Sequence, residues 1–119
     1  MTGNVRMRAD EPGEDSDLAM RVGSRAPDGT LPIELEGDLD MDATFRLEPE
    51  LERQLGEDGI SRIVLDLAGV GFMDSAGLGA LLSTRERAEL LGVELRVTNP
   101  SDPVMRVFEM TGTTRLLGE

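Results

Sequence analysis

The residues with the clearest chemical potential are Asp74-Ser75-Ala76-Gly77-Leu78-Gly79. They follow an apolar run and open a stretch of helical periodicity. Asp74 precedes the helix, where a carboxylate accepts from first-turn N–H groups that have no partner within the helix. Ser75 falls at the cap or first helical position, with its hydroxyl at the positive end of the helix dipole. An anion there is favoured by the dipole and the N–H groups, so a phosphoserine can be held without unfolding the domain. Gly77 and Gly79 each cost a helix up to about 1 kcal/mol relative to alanine, which makes sense where another backbone must come close. A plainer reading stands beside this one: Asp-Ser is an ordinary cap, and the early glycines serve only strand–helix packing.

Other chemistries are harder to build. No Lys follows the glycines, so the segment is not a P-loop. It is not Gly-x-Ser-x-Gly, and the chain has no His to activate Ser75 as a nucleophile. With no Cys either, thiol chemistry and Cys/His metal sites are excluded. Asp38, Asp40, Asp42 and Asp74 sit on neighbouring loops and could form an acid–base pair or hold Mg²⁺. With 24 acidic residues in 119, chance proximity accounts for such a group. No catalytic residue, metal ligand or cofactor is therefore assigned.

The wider composition narrows the partners. A chain of 119 residues suits one domain. Three Phe are the only aromatics, so the core must come from Leu, Val, Ile, Met and Ala. The formal net charge is -12, and all 12 basic residues are Arg. Such a chain repels nucleic-acid phosphates and anionic membranes, which leaves a protein as the expected partner. No apolar run approaches the length needed to span a bilayer. The start of the chain has no apolar stretch of the signal-peptide kind, and zero Cys gives no disulfide framework. A cytoplasmic protein is expected.

The elements that must position the Ser75 segment can be read from periodicity. Residues 1–16 are polar, acidic and aperiodic, and are expected to be a disordered tail before a domain over 17–119. Leu18, Met20 and Val22 alternate, as do Leu31, Ile33 and Leu35, with a Pro27-Asp28-Gly29 turn between them; this predicts a hairpin. Leu47, Leu51 and Leu55 give a helical stripe, with Asp42 as a possible cap. Pro49 must either kink that helix or delay its regular part to Glu48 onward. The nearly continuous apolar run Ile60 to Val70 predicts a strand covered on both faces. The helix after it places Leu78, Leu81, Leu82, Arg85 and Ala88 on its inner face. Val93, Leu95 and Val97 predict another strand. A helix capped by Ser101 or Asp102 and stopped by Gly112 follows, then a short closing strand at Leu116 and Leu117. The order is that of an α/β fold, mostly parallel after an opening hairpin. Its functional loops lie beyond the strands' carboxyl ends: Gly37 to Asp42, Gly71 to Gly77, and Asn99 to Pro103.

The segment Val70 to Gly79 resembles the phosphorylation site of STAS-domain anti-sigma factor antagonists. Gly37-Asp38-Leu39-Asp40 is similar to a turn of that family, Ile63-Val64-Leu65-Asp66-Leu67 to its central strand, and Val104 to Gly112 to its last helix. The likeness runs from about Leu18 to Leu117. It implies a STAS fold: a four- to five-stranded, mostly parallel sheet with helices packed mainly on one side. It implies Ser75 as phosphoacceptor, with Asp74 orienting it or helping the kinase to reach it. It places Asp38 and Asp40 at the partner surface, with Asp74, Ser75, Ala76, Gly77, Leu78 and Gly79. Ala76 departs from the Ser or Thr often found there, so no second phosphoacceptor follows Ser75. The implied partners are an anti-sigma factor serine kinase of the histidine-kinase-like ATPase class and a PP2C-like phosphatase. The implied role is non-enzymatic partner switching in bacterial transcription regulation and stress response: the unphosphorylated protein frees a sigma factor. The alternative is a STAS regulatory subunit of another assembly, such as an ABC-type ATPase complex.

Overall fold

The computed structural model describes residues 3–5 and 18–117. Five strands form one sheet in the order β1 (Gly3–Val5), β2 (Ala19–Val22), β3 (Thr30–Leu39), β4 (Arg62–Met73), β5 (Glu94–Thr98). β1, β2 and β3 pair antiparallel; β3, β4 and β5 pair parallel. Three helices intervene: α1 (Met41–Leu55), α2 (Ser75–Leu90) and α3 (Asp102–Thr111). The expected disordered tail falls mostly outside the described residues. Within it, Gly3–Val5 form a strand, because β2 offers an open edge for backbone pairing.

In β3 the buried residues are Leu31, Ile33, Leu35 and Leu39, while Pro32 and Glu34 are exposed. β5 buries Leu95 and Val97 in the same alternating way. The helices cover this one face, as right-handed crossovers between successive parallel strands require. β4 corrects the expectation of a strand covered on both faces. Ile63, Leu65 and Leu67 are fully buried, but Val64 between them is only half-buried.

Two bulges shift the inward phase of β4 after Asp66. Glu34 and Glu36 of β3 face Asp66 and Gly69, and Gly37 and Asp38 face Val70 and Phe72. Each step adds one residue to β4, and each extra residue reverses which side chain points inward. The buried series accordingly runs Ile63, Leu65, Leu67, then Val70, then Met73. Asp66 steadies the first bulge: one carboxylate oxygen accepts from the Ala68 N–H at 2.9 Å, and the other accepts from the Asn99 amide. Ser101, the cap of α3, donates to the Val70 carbonyl between the bulges.

The helices differ from expectation in detail. α1 is one helix from Met41, with Pro49 inside it, so its regular part does not wait for Glu48. α2 buries Leu78, Leu81 and Ala88 as expected, and also Thr84, whose hydroxyl donates to the Ala80 carbonyl at 2.8 Å. Arg85 and Leu82 are half-buried at the margin. Ser101 caps α3, and Gly112 ends it at φ 70°, a left-handed conformation suited to glycine. The closing segment is a short 3₁₀ helix over Thr114–Leu117 rather than a strand; it packs on β5 and seats Leu116 in the core.

On the less covered face, Glu94 accepts from Arg62 at 2.7 Å and from Arg96 at 2.8 Å. The Arg62 hydrogen bond, helped by Arg96 and opposed by partial burial, holds the Glu94 carboxyl below the usual carboxylate range. A depressed carboxylate stabilises the fold above its unfolded-state pKa, and that contribution fades as pH falls through the folded value. Both partners are more than a third exposed, so Glu94→Gln should cost under about 1 kcal/mol at neutral pH. Urea unfolding across an acid series should show the two proteins converging below the carboxylate range.

Candidate functional site at the start of the second helix

β3 passes into α1 through Asp40 alone, and β4 passes into α2 through Asp74 alone. The loops expected over Gly37 to Asp42 and Gly71 to Gly77 are thus one-residue junctions. Both junction residues are extended N-caps. Asp40 accepts from the Ala43 N–H at 3.0 Å, and Asp74 accepts from the Gly77 N–H at 2.9 Å. Asp40, not Asp42, therefore starts α1; Asp42 lies in the first turn, where its charge suits the dipole.

The two junctions are joined. The Asp74 N–H donates to the Leu39 carbonyl at 3.3 Å, and Leu39 pairs with Met73 across the ladder. Asp38 pairs with Phe72 one step earlier. Asp38, Asp40 and Asp74 are all half-buried around this seam. The carboxyl ends of β3 and β4 thus carry Asp38, Asp40 and Asp74 on adjacent strand ends, with Ser75 directly after Asp74.

Ser75 is the first residue of α2 and is exposed. Ala76 is half-buried, Leu78 is buried against the core, and Gly79 is exposed. The two glycines have different reasons. A Cβ on Gly77 would stand 2.1 Å from the Leu39 carbonyl oxygen, which no packing permits. A Cβ on Gly79 would meet nothing within 4 Å. The close approach anticipated from sequence is real at Gly77 and absent at Gly79.

Asp74 and Asp40 each commit a carboxylate oxygen to capping. Among the described residues no group of three acids could hold a metal ion, and no helix is long and apolar enough to cross a membrane. Asp74→Ala and Asp40→Ala should each lower stability by about 1 kcal/mol, measurable by urea unfolding, with the larger fraying at the helix that lost its cap.

Sequence reasoning missed the apolar side chains near this end. Phe72, Met41 and Phe45 are 48%, 59% and 52% exposed. A signal was present: Phe45 lies off the Leu47, Leu51, Leu55 stripe in a chain that uses Phe only three times.

Comparison with known proteins agrees with this architecture. The anti-sigma-B factor antagonist of Staphylococcus aureus is 30% identical over 100 residues, covering 84% of this chain and 92% of that protein. The anti-sigma F factor antagonist of Paenibacillus polymyxa is 29% identical over 89 residues, covering 75% and 76%. The solved structure of the anti-sigma factor antagonist SpoIIAA in its unphosphorylated form shares the fold, with a TM-score of 0.68 at 24% identity, over 79% of this chain and 81% of that one. The STAS domain family model matches residues 22–118. With nearly its whole described length matched in this way, the chain belongs to the STAS domain family.

Proposed function

We propose that this protein is a cytoplasmic anti-sigma factor antagonist switched by phosphorylation of Ser75. The observation that carries the reading is an exposed serine at the first position of a helix whose backbone is pinned by Asp74 and Gly77. The protein acts as a binding module and as a kinase substrate, not as an enzyme. Unphosphorylated, it binds an anti-sigma factor serine kinase of the histidine-kinase-like ATPase class, and a sigma factor is released. The kinase transfers the γ-phosphoryl group of ATP to the Ser75 Oγ. A new P–O bond forms, the bond to ADP breaks, and the hydroxyl proton is lost. A PP2C-like phosphatase hydrolyses the ester and restores binding.

Asp38, Asp40, Asp74, Ser75, Ala76, Gly77, Leu78 and Gly79 make up the partner-facing end in this reading. Their roles divide. Asp40 and Asp74 hold the helix starts, Gly77 and Leu78 hold the seam to the core, and Ser75 and Gly79 are the exposed contacts.

The test is a pull-down from native lysate with wild type and Ser75→Glu, read by mass spectrometry. Capture of a histidine-kinase-like ATPase by wild type alone, with phosphate on Ser75 in part of the bait, is expected. Capture of an ABC-type ATPase, or of one partner equally by both baits, would instead favour a constitutive regulatory subunit.

A further inference from the structure

α1 and α2 begin at the carboxyl ends of neighbouring parallel strands, so they run side by side in the same direction. Between them lies an open groove of about 450 Å³ whose walls include Phe45, Glu48 and Pro49 of α1, and Ser83 and Arg87 of α2. On α1, Met41, Phe45 and Pro49 are spaced four apart and exposed, which makes an apolar ridge. On α2, exposed Ser75, Gly79 and Ser83 have the same spacing and leave the opposite wall low. Both rows lead from the groove toward the start of the two helices, where Ser75 lies. A ridge of large residues beside a row of small ones fits the ridges-into-grooves packing of another helix.

The polar groups of the groove define what that helix must carry. Pro49 has no N–H, so the Phe45 carbonyl lacks the donor that a helix normally supplies four residues on. The Glu48 carboxylate adds acceptors on the α1 wall, and the Ser83 hydroxyl on the α2 wall can donate or accept. The groove's cation, Arg87, is already paired with Glu52 across the two helices. Acceptors thus outnumber available donors in a chain whose net charge is -12.

We propose that this groove seats a basic amphipathic helix of the anti-sigma factor, an inference that rests on the functional reading above. The partner's apolar residues pack on Met41 and Phe45, and an Arg or Lys reaches the Phe45 carbonyl and Glu48. Contact therefore extends well beyond Ser75, and phosphorylation acts at one end of a longer interface.

The experiment measures affinity by titration calorimetry for the full-length kinase recovered with the wild-type bait. The variants are Phe45→Ala, Glu48→Arg and Ser83→Trp, with Ser75→Glu beside them and Leu90→Glu as a surface control. Leu90 is 87% exposed at the opposite end of α2. Weakening by about 30-fold or more for the three groove variants, with Leu90→Glu unchanged, is expected. Thermal melting of each variant separates loss of binding from loss of fold. Groove variants that melt like wild type and bind within threefold of it, while Ser75→Glu binds poorly, would overturn the groove and leave the switch standing. Weak groove variants beside a fully active Ser75→Glu would support the groove and remove the switch. No complex with wild type would overturn both.

Discussion

Gly77→Ala is expected to destabilise the domain by about 3 kcal/mol or more, lowering Tm on the order of 10–20 °C. The added methyl would sit 2.1 Å from the Leu39 carbonyl oxygen, and that oxygen cannot simply move aside. It belongs to the last residue of β3, directly before the Asp40 cap of α1, and it accepts from the Asp74 N–H. Relief of the clash must therefore separate two strand–helix junctions at once. Gly79→Ala is the matched comparison, two residues along the same helix. There the methyl enters open space, and the better helix propensity of alanine should raise stability by up to about 1 kcal/mol. Thermal unfolding of the pair checks the assignment. Equal effects from the two would mean that the seam between β3 and α2 is softer than its geometry.

The second large effect is on binding. Ser75→Ala should bind the anti-sigma factor as tightly as the unphosphorylated protein, while phospho-Ser75 should bind about 30- to 4,000-fold more weakly. A phosphate adds a charge of about -1.5 to -2 at pH 7. It would arrive beside Asp74, with Asp38 and Asp40 across the seam, and would have to be desolvated against a packed partner. Losses of about 2–5 kcal/mol are usual when a charge is left unpaired at an interface. Ser75→Asp and Ser75→Glu add a single charge, so each should weaken binding by less than the phosphate does. Calorimetric titration of the kinase with the alanine, glutamate and phosphorylated forms gives the order directly. Equal affinities for the alanine and glutamate forms would contradict the mechanism.

Much of this was legible because the relevant signals are local. Alternation marked the hairpin and β5, four-residue spacing marked α1, and Ser101 and Gly112 bounded α3 as their side-chain chemistry dictates. Ser75 could be placed at a helix start because the Asp before it and the glycines after it have few other uses. What escaped depended on contacts between distant segments. The bulges in β4 exist only relative to β3, and the half-burial of Val64 depends on what covers the other face of the sheet, so neither could be read from the strand's own pattern. The cap of α1 was misplaced by two residues because Asp40 and Asp42 are chemically equal candidates, and the length of β3 decides between them. Gly77 and Gly79 look alike in sequence; the Leu39 carbonyl, 38 positions before Gly77, tells them apart. The closing residues carried too short a pattern to separate a strand from a 3₁₀ turn.

The extra residues of β4 have a consequence for how such a site can diversify. β4 spends twelve residues where β3 spends ten, and the surplus lies just upstream of Ser75. Ahead of the surplus, inward alternation is set by the needs of the core; after it, the phase has been reset twice. Phe72, at the second bulge, is thereby released from the alternation that fills the interior. Phe72 can face solvent while Val70 and Met73 on either side of it remain buried. Partner preference could then be rewritten by exchanging a few residues past the second bulge, while the folding instructions upstream are inherited unchanged.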